Sequence, residues 1–339
     1  MRTIVLEEPR RLTAVERAEP GQPAPGEALV AVRRMAVCGT DLHAYLGNQT
    51  FFSYPRVLGH ELAVEVLEVG AGVSNVAPGD ACAVEPYLDC GSCVACRAGR
   101  PNCCVSLSVL GVHVDGGLCE RLRLPARKLH ASARLDLDQL ALVEMLGVGA
   151  HAVGRAGLKP GTRVLVIGAG PIGLGVIALA RLAGAELIAM DADPVRLEHC
   201  RTALGVAHTV EAGEDSLAAV ERLTGGDRAD VVFDATGSPA SMQAAFGHVA
   251  HGGRLVLVGH ANAEISFSDP LFHGREMTLL ASRNSRADEL AAVVAALEDG
   301  RLDPRTWISH RAGFDEVVGV FPGFARREGG LIKAMVELP

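Results

Sequence analysis

A glycine-rich turn set between an apolar strand and an apolar helix constrains this chain more than any other feature. Arg163–Ile167 reads as a strand and Ile172–Ala183 as an alanine- and leucine-rich helix, joined by Gly168-Ala-Gly170-Pro171-Ile172-Gly173. In that context each glycine has a separate task. Gly168 permits the tight turn, Gly170 lets the backbone approach a pyrophosphate, and Gly173 lets the helix pack closely on the sheet. The helix N-terminus then presents unpaired N–H groups to the phosphates.

The alternation continues downstream. Strands are predicted at Glu186–Met190, Ala207–Val210, Asp230–Phe233, Arg254–Val258 and Thr278–Ala281. Helices are predicted at Pro194–Leu204, with proline in the first turn, at Ser216–Leu223 and at Ala240–Val249. Apolar strands alternating with helices imply a parallel sheet covered on both faces, and six of them fit a doubly wound α/β fold. Asp191 ends the second strand, 18 residues after Gly173. A carboxylate there accepts hydrogen bonds from ribose hydroxyls and repels a 2′-phosphate, which favours NAD over NADP. Asp193, just past the strand end, competes for that role. Asp234-Ala-Thr236-Gly237 and Gly252–Gly259 close two later strands, either lining a nicotinamide half or serving as ordinary turns.

The chain has 339 residues, enough for about two domains of about 150 residues each. Residues 1 to about 145 are rich in Val, Gly and Pro, with short apolar runs such as Glu27–Val32 and Leu62–Val69 between turn signals. That texture predicts a mostly β domain. The expected division is 1–147, with a cysteine lobe at about 88–106, then 148–284, then a segment 285–339 that returns to the first domain. Acidic residues outnumber basic ones, 40 to 32, which argues against a nucleic-acid or anionic-membrane binder. The N-terminus carries Glu7 and Glu8 and shows no apolar signal segment. The uncharged run Val164–Ala180 is broken by four glycines and Pro171, so no membrane span is expected.

Nine cysteines in such a chain point to a reducing, cytoplasmic compartment and to metal binding rather than disulfides. Cys90, Cys93, Cys96 and Cys104 have the spacing C-x2-C-x2-C-x7-C, with Cys103 as a neighbouring alternative for the fourth position. Four thiolates suit a closed, tetrahedral, structural zinc site. Cys82, Cys119 and Cys200 read as buried free cysteines. Glu144 lies in the apolar run Leu142–Leu146, where an unpaired carboxylate is costly and a metal would resolve the cost. Cys38-Gly-Thr40-Asp41-Leu-His43 is expected in a turn between strands, and Gly59-His60-Glu61 opens a further strand.

Taken together, CGTDLH at Cys38–His43, GHE at Gly59–Glu61, the four-cysteine lobe, GAGPIG at Gly168–Gly173 and DATG at Asp234–Gly237 resemble the zinc-dependent medium-chain dehydrogenase family. The likeness is to its sorbitol and threonine dehydrogenase branch and covers essentially the whole chain. Pro101-Asn102, Leu110–Gly117, Ser282-Arg283 and Asp303-Pro304 resemble the bacterial L-galactonate dehydrogenase-like subgroup. The resemblance implies a GroES-like, mostly β catalytic domain and a Rossmann cofactor domain. It implies a catalytic zinc on Cys38, His60 and Glu144, with Glu61 a direct ligand or one that exchanges with water. It favours Cys104 over Cys103 in the structural site, giving two zincs per subunit. Asp41 would orient His60, and Thr40 and His43 match the family's proton-relay positions. The cofactor-contacting set is Gly168, Gly170, Pro171, Ile172, Gly173, Asp191, Arg196 and Thr236. Met145 departs from the proline common in the family after the Glu144 position.

The implied activity is NAD-dependent oxidation of a secondary hydroxyl of a polyol or sugar acid. The substrate is a small-molecule alcohol and the assembly a homodimer or homotetramer. An L-threonine or other amino-alcohol dehydrogenase is the competing enzyme. A non-catalytic cofactor sensor is the competing class, and the intact set Cys38, Thr40, His43, His60 and Glu144 argues against it. His113 and His151 are candidates to touch substrate, whereas His199, His208, His248 and His251 are expected at the surface. Phe51, Phe52 and Tyr54 either wall a substrate pocket or pack against the β domain.

Overall fold

The computed structural model describes residues 1–50 and 52–339. The chain divides into two units: Met1–Glu144 with Ser285–Pro339, and Met145–Asn284.

The first unit is built on a seven-stranded sheet whose central strand is Glu27–Val37. Glu61–Val69 and Lys333–Glu337 flank that strand, both antiparallel to it. Ala81–Val84 and Leu129–Ala131 extend one side, Ile308–Gly313 the other, and Arg121–Pro125 also pairs with the central strand. Val30, Val32, Leu62, Val64 and Val84 share one core with Phe321 and Phe324 of the helix Val317–Ala325. Burial of each such side chain stabilises by roughly 1.5–3 kcal/mol, which fixes the register. The register pairs Ala36 with Glu61 and Val37 with Ala334. The end of the central strand thus meets the first residues of both neighbours.

Cys38–His43 was expected in a turn, and here the structure differs. Gly39–Leu46 is a helix with Cys38 at its N-cap, ended by Gly47 in the left-handed conformation. Asp41 explains it: its side chain accepts the Cys38 backbone N–H and closes the first turn.

The second unit is a six-stranded parallel sheet in the order His208–Glu211, Glu186–Asp191, Arg163–Ile167, Ala229–Asp234, Val249–Leu257, Thr278–Ala281. The order reverses beside Arg163–Ile167, so the glycine turn at the end of that strand lies at the topological switch point. Leu165, Ile188, Val232, Phe246 and Leu255 form its core. Two expectations need correction. The helix expected over Ala240–Val249 is Pro239–Ala245 followed by a short turn, and the next strand starts at Val249, which pairs with Ala229. His248, expected at the surface, is buried in that turn. Among the described residues no helix is long and apolar enough to cross a membrane.

Candidate metal centre and dinucleotide site

The strand register brings three chemically distinct side chains together. Ligand atoms of Cys38, His60 and Glu61 lie within 4.8 Å of one another. Cys38 follows the central strand, while His60 and Glu61 sit at the start of its neighbour. Gly59 makes the entry possible: its φ is +100°, and a Cβ there would come within 2.6 Å of Met35 Sδ. Asp41, fully buried, ties the two loops together. It accepts the N–H of Cys38 at 2.9 Å and of Gly59 at 3.2 Å, and its Oδ1 lies 3.7 Å from His60 Nδ1. A carboxylate so placed orients an imidazole.

Two further carboxylates have their own tethers. Both oxygens of Glu61 accept hydrogen bonds from Lys333 Nζ, at 2.8 and 2.6 Å, and both residues are buried. Lys333 also donates to the Val37 carbonyl at 3.3 Å. Glu144, in the first turn of the helix Val143–Ala156, accepts a hydrogen bond from the hydroxyl of Tyr87. Burial and the Glu144 charge hold the Tyr87 phenol well above its ordinary value, so it remains a donor.

Burial and charge compete at each titratable group of this pocket. Burial pushes Glu144 up to about 6, and the charge of Glu61 adds to it against the pull of His60, Tyr87 and Lys333. Burial opposes the charged form of His60, yet Cys38, Asp41 and Glu144 outweigh it and hold the imidazole well above its ordinary value. The same contest, won by Glu61, Cys38 and Glu144, raises Lys333. Nδ1 of His60 is buried without a hydrogen-bond partner among the described residues. A cysteine sulfur, an imidazole and a carboxylate converging in one group are a donor set that fits zinc. Thr40 is half-buried on the same helix, and His43 is exposed, its Nδ1 2.9 Å from Asn48 Oδ1.

The second cluster is Cys90, Cys93, Cys96 and Cys104, whose sulfurs lie within 4.8 Å of one another. Cys104 is buried within it, whereas Cys103 is exposed. Cys93 caps the short helix Val94–Arg97, and the amides of Cys96 and Val105 lower its thiol to about 6. Backbone amides also lower Cys90. Four converging sulfurs with amide donors behind them fit a closed zinc site. The lobe grows from the two-stranded ribbon Tyr87–Leu88 with Ser108–Val109, so the strand that carries the lobe also carries Tyr87.

In the second unit, a Cβ on Gly173 would lie 1.7 Å from the Gly168 carbonyl oxygen, so only glycine lets this helix start so close to the strand. The helix Pro171–Leu182 begins with Gly170 at its N-cap and Pro171 in its first turn, with no side chain capping its amides. In front of Gly170 the nearest neighbour a Cβ would meet is Arg196, at 3.7 Å. Asp191 Oδ2 accepts the Ala169 N–H at 2.6 Å and lies 3.9 Å from Arg196 Nη1. Asp193 instead caps the helix Pro194–Leu204 through the Val195 N–H, which leaves Asp191 as the carboxylate facing the glycine turn. Thr236 is held by Asp234, to which it donates both its N–H, at 2.9 Å, and its hydroxyl, at 2.6 Å.

Other candidates fall outside these groupings. His113 Nδ1 accepts the Val109 N–H at 3.1 Å, and His151 is buried in the second unit. Phe52 and Tyr54 stack edge to face at 4.9 Å and pack on the first unit's core; Phe51 lies outside the described residues. Lys333 and Tyr87 escaped the sequence reading. Lys333 opens a strand that ends on a second charge, Glu337, so nothing local marks it as buried.

Comparison with known proteins places these features in context. The family pattern described as zinc-binding dehydrogenase matches residues 171–299, and that of the alcohol dehydrogenase GroES-like domain matches residues 24–134. The L-galactonate-5-dehydrogenase of Escherichia coli (strain K12) is 38% identical over 99% of this chain and 98% of its own. An alcohol dehydrogenase of E. coli CFT073, solved with NADH, has 29% identity and a TM-score of 0.92 over 99% of both chains. A zinc-binding dehydrogenase of Sinorhizobium meliloti 1021, solved with NADP, has 28% identity and a TM-score of 0.88 over 99% of this chain and 98% of that one.

Proposed function

The chain belongs to the zinc-dependent medium-chain dehydrogenase family, and from that premise we propose that it oxidises a secondary hydroxyl of a polyol or sugar acid to a ketone, with NAD as hydride acceptor. The observation that carries the reading is the convergence of Cys38, His60 and Glu61 within 4.8 Å, with Glu144 outside that group of three but near enough for its charge to act on His60. The sugar-acid substrate class is supported by the 38% identity to an L-galactonate dehydrogenase. NAD rather than NADP is supported by Asp191, whose carboxylate stands beside the glycine turn and would repel a 2′-phosphate.

In this reading Cys38, His60 and Glu144 hold a catalytic zinc, and Cys90, Cys93, Cys96 and Cys104 hold a structural one. Bound in these places, zinc supplies a Lewis acid that lowers the pKa of a substrate hydroxyl, and NAD supplies the acceptor for hydride. The chain's residues do the rest. Asp41 ties the loops that carry Cys38 and His60 together through their backbone N–H groups, with its Oδ1 3.7 Å from His60 Nδ1. Tyr87 holds the Glu144 carboxylate by donating to its Oε1. Thr40 Oγ1 would accept the proton of the substrate hydroxyl while handing its own on toward His43, whose exposed ring would release one to water. The N–H groups of Gly170, Ile172 and Gly173 would receive the pyrophosphate, and Asp191, with Arg196 beside it, would accept from the adenosine ribose.

The testing experiment is absorbance detection of NADH over a panel of sugar acids, polyols, L-threonine and simple secondary alcohols. Turnover of a sugar acid or polyol supports the reading. Turnover of L-threonine alone transfers the protein to the amino-alcohol class.

A further inference from the structure

Lys128 is one of three lysines among the chain's 32 basic residues, and it is buried against two carboxylates. We propose that Lys128 is a positioning residue: it clamps the strand Tyr87–Leu88 at both ends, and so sets both the cysteine lobe's hold on its metal and the hold of Tyr87 on Glu144. The proposal rests on the two-metal reading above and adds to it a residue that belongs to neither ligand group.

The clamp is built from backbone and side chain together. Lys128 closes the short turn Ala126–Lys128, between the strands Arg121–Pro125 and Leu129–Ala131. Its Nζ lies 2.5 Å from Oε1 of Glu85 and 2.8 Å from Oδ1 of Asp89. Glu85 stands two residues before Tyr87, and Asp89 stands between Leu88 and Cys90. The Glu85 N–H also donates to the Lys128 carbonyl at 2.8 Å. At the Asp89 end Arg127 adds a second cation, donating to Oδ1 at 2.8 Å and to the backbone carbonyl at 3.3 Å. The point where the chain enters the lobe is thereby fixed, and the next N–H, that of Cys90, donates to Cys104 Sγ at 3.3 Å. Between the clamped ends Tyr87 pairs with Val109 and donates its hydroxyl to Glu144.

Charge and shape explain the choice of residue. A buried ammonium is tolerated only when paired, and its hydrogen bonds to carboxylates are roughly twice as strong as those between neutral groups. A compact ammonium brings rotatable donors to two carboxylates at one point, whereas a guanidinium spreads its donors over a rigid fork. The second oxygen of Glu85 faces His130 Nε2 at 3.6 Å, and neither atom has a hydrogen-bond partner. Among the described residues Lys128 therefore supplies the hydrogen bond that holds the Glu85 side chain.

The test follows zinc leaving the zinc-loaded enzyme into a coloured chelator, each variant at a temperature where circular dichroism shows it folded. The unaltered protein is expected to release zinc in two phases, assigned by Cys104→Ser and Cys38→Ser, each of which lacks one of them. Lys128→Met is expected to speed both phases roughly 10–100-fold. Asp89→Asn is expected to speed the lobe phase alone, and Glu85→Gln the Cys38-site phase alone with a matching fall in kcat. In a Tyr87→Phe background Glu85→Gln is expected to add nothing further to the Cys38-site phase, because both changes break one chain of contacts. Unchanged phases in folded Lys128→Met overturn the proposal. Equal acceleration of both phases by Asp89→Asn and by Glu85→Gln also overturns it, because that is general loosening of the fold. If Lys128→Met does not fold, the two carboxylate variants decide. Absence of zinc from both places in the unaltered protein defeats the metal reading itself and the clamp with it, a result distinct from two phases that Lys128 does not control.

Discussion

The hydroxyl of Tyr87 donates a hydrogen bond to Oε1 of Glu144, and both side chains are buried. Tyr87 lies in the ribbon from which the four-cysteine lobe emerges. Tyr87→Phe removes the donor and keeps the ring. Outer contacts of this kind typically carry roughly 10–100-fold in metal retention or activity. Chelator challenge should therefore strip the catalytic metal from Tyr87→Phe faster than from the parent by a factor in that range. Equal rates would mean that Glu144 needs no such support.

The pKa shifts in the metal pocket make zinc uptake a proton-releasing event. Burial opposes the charged form of His60, but Cys38, Asp41 and Glu144 raise it above its ordinary value, so zinc competes there with a proton held more tightly than on a free imidazole. Glu144, raised to about 6 by burial first and Glu61 second, adds a proton as pH falls below that value. For stability the sign is the same for both groups. Each raised pKa contributes stability to the metal-free fold at low pH that is lost as pH rises through the folded value. Zinc added to chelated protein in weak buffer with a pH indicator should release protons, more per zinc at pH 5.5 than at pH 7.5. A release independent of pH would contradict these assignments.

Cys103 and Cys104 are adjacent but sit in different surroundings, exposed and buried respectively. Cys103→Ser should change stability by no more than about 0.5 kcal/mol and leave metal content intact. Cys104→Ser should lose one zinc per chain, lower the melting temperature and, through the ribbon that carries Tyr87, reduce activity as well. Metal analysis and thermal melts of the two variants separate these outcomes.

Asp191 holds the Ala169 amide at the glycine turn, and in the proposed reading it also holds the ribose. Hydrogen bonds to charged groups are worth about 1.5–3 kcal/mol, or roughly 10–100-fold in affinity. Asp191→Ala should raise KM for NAD by that order and narrow the preference over NADP, because the carboxylate that repels a 2′-phosphate is gone and Arg196 keeps only Asp193 as a partner. Unchanged preference would move cofactor discrimination elsewhere.

Thr40→Ala removes the proposed proton acceptor without touching a metal ligand. General acid–base groups contribute roughly 100- to 10,000-fold. Turnover in this variant should drop by about 100-fold or more while zinc content holds, as steady-state kinetics with parallel metal analysis would show.

Local chemistry made much of this protein legible. The glycine turn and the cysteine spacing are short-range patterns, and the structure brings Gly168–Gly173 to the switch point of a parallel sheet and the four cysteines into one cluster. The helix Gly39–Leu46 was hidden because it is short and opens on glycine, a poor helix former, while its start depends on the Asp41 side chain. The early end of Pro239–Ala245 depends on Val249 pairing with Ala229, a contact between elements that no local pattern records. Lys333 was out of reach for the same reason, lying 272 residues from Glu61 and meeting it only through the sheet register.

The central claim is that a metal held at Cys38, His60 and Glu144 is required for NAD-linked oxidation of a sugar acid or polyol. The direct measurement is NADH formation before chelation, after it, and after zinc is restored, with metal content followed throughout. The account predicts that activity disappears with the Cys38-site metal and returns with zinc while the lobe metal stays bound. Full turnover by protein shown to lack the Cys38-site metal would contradict it.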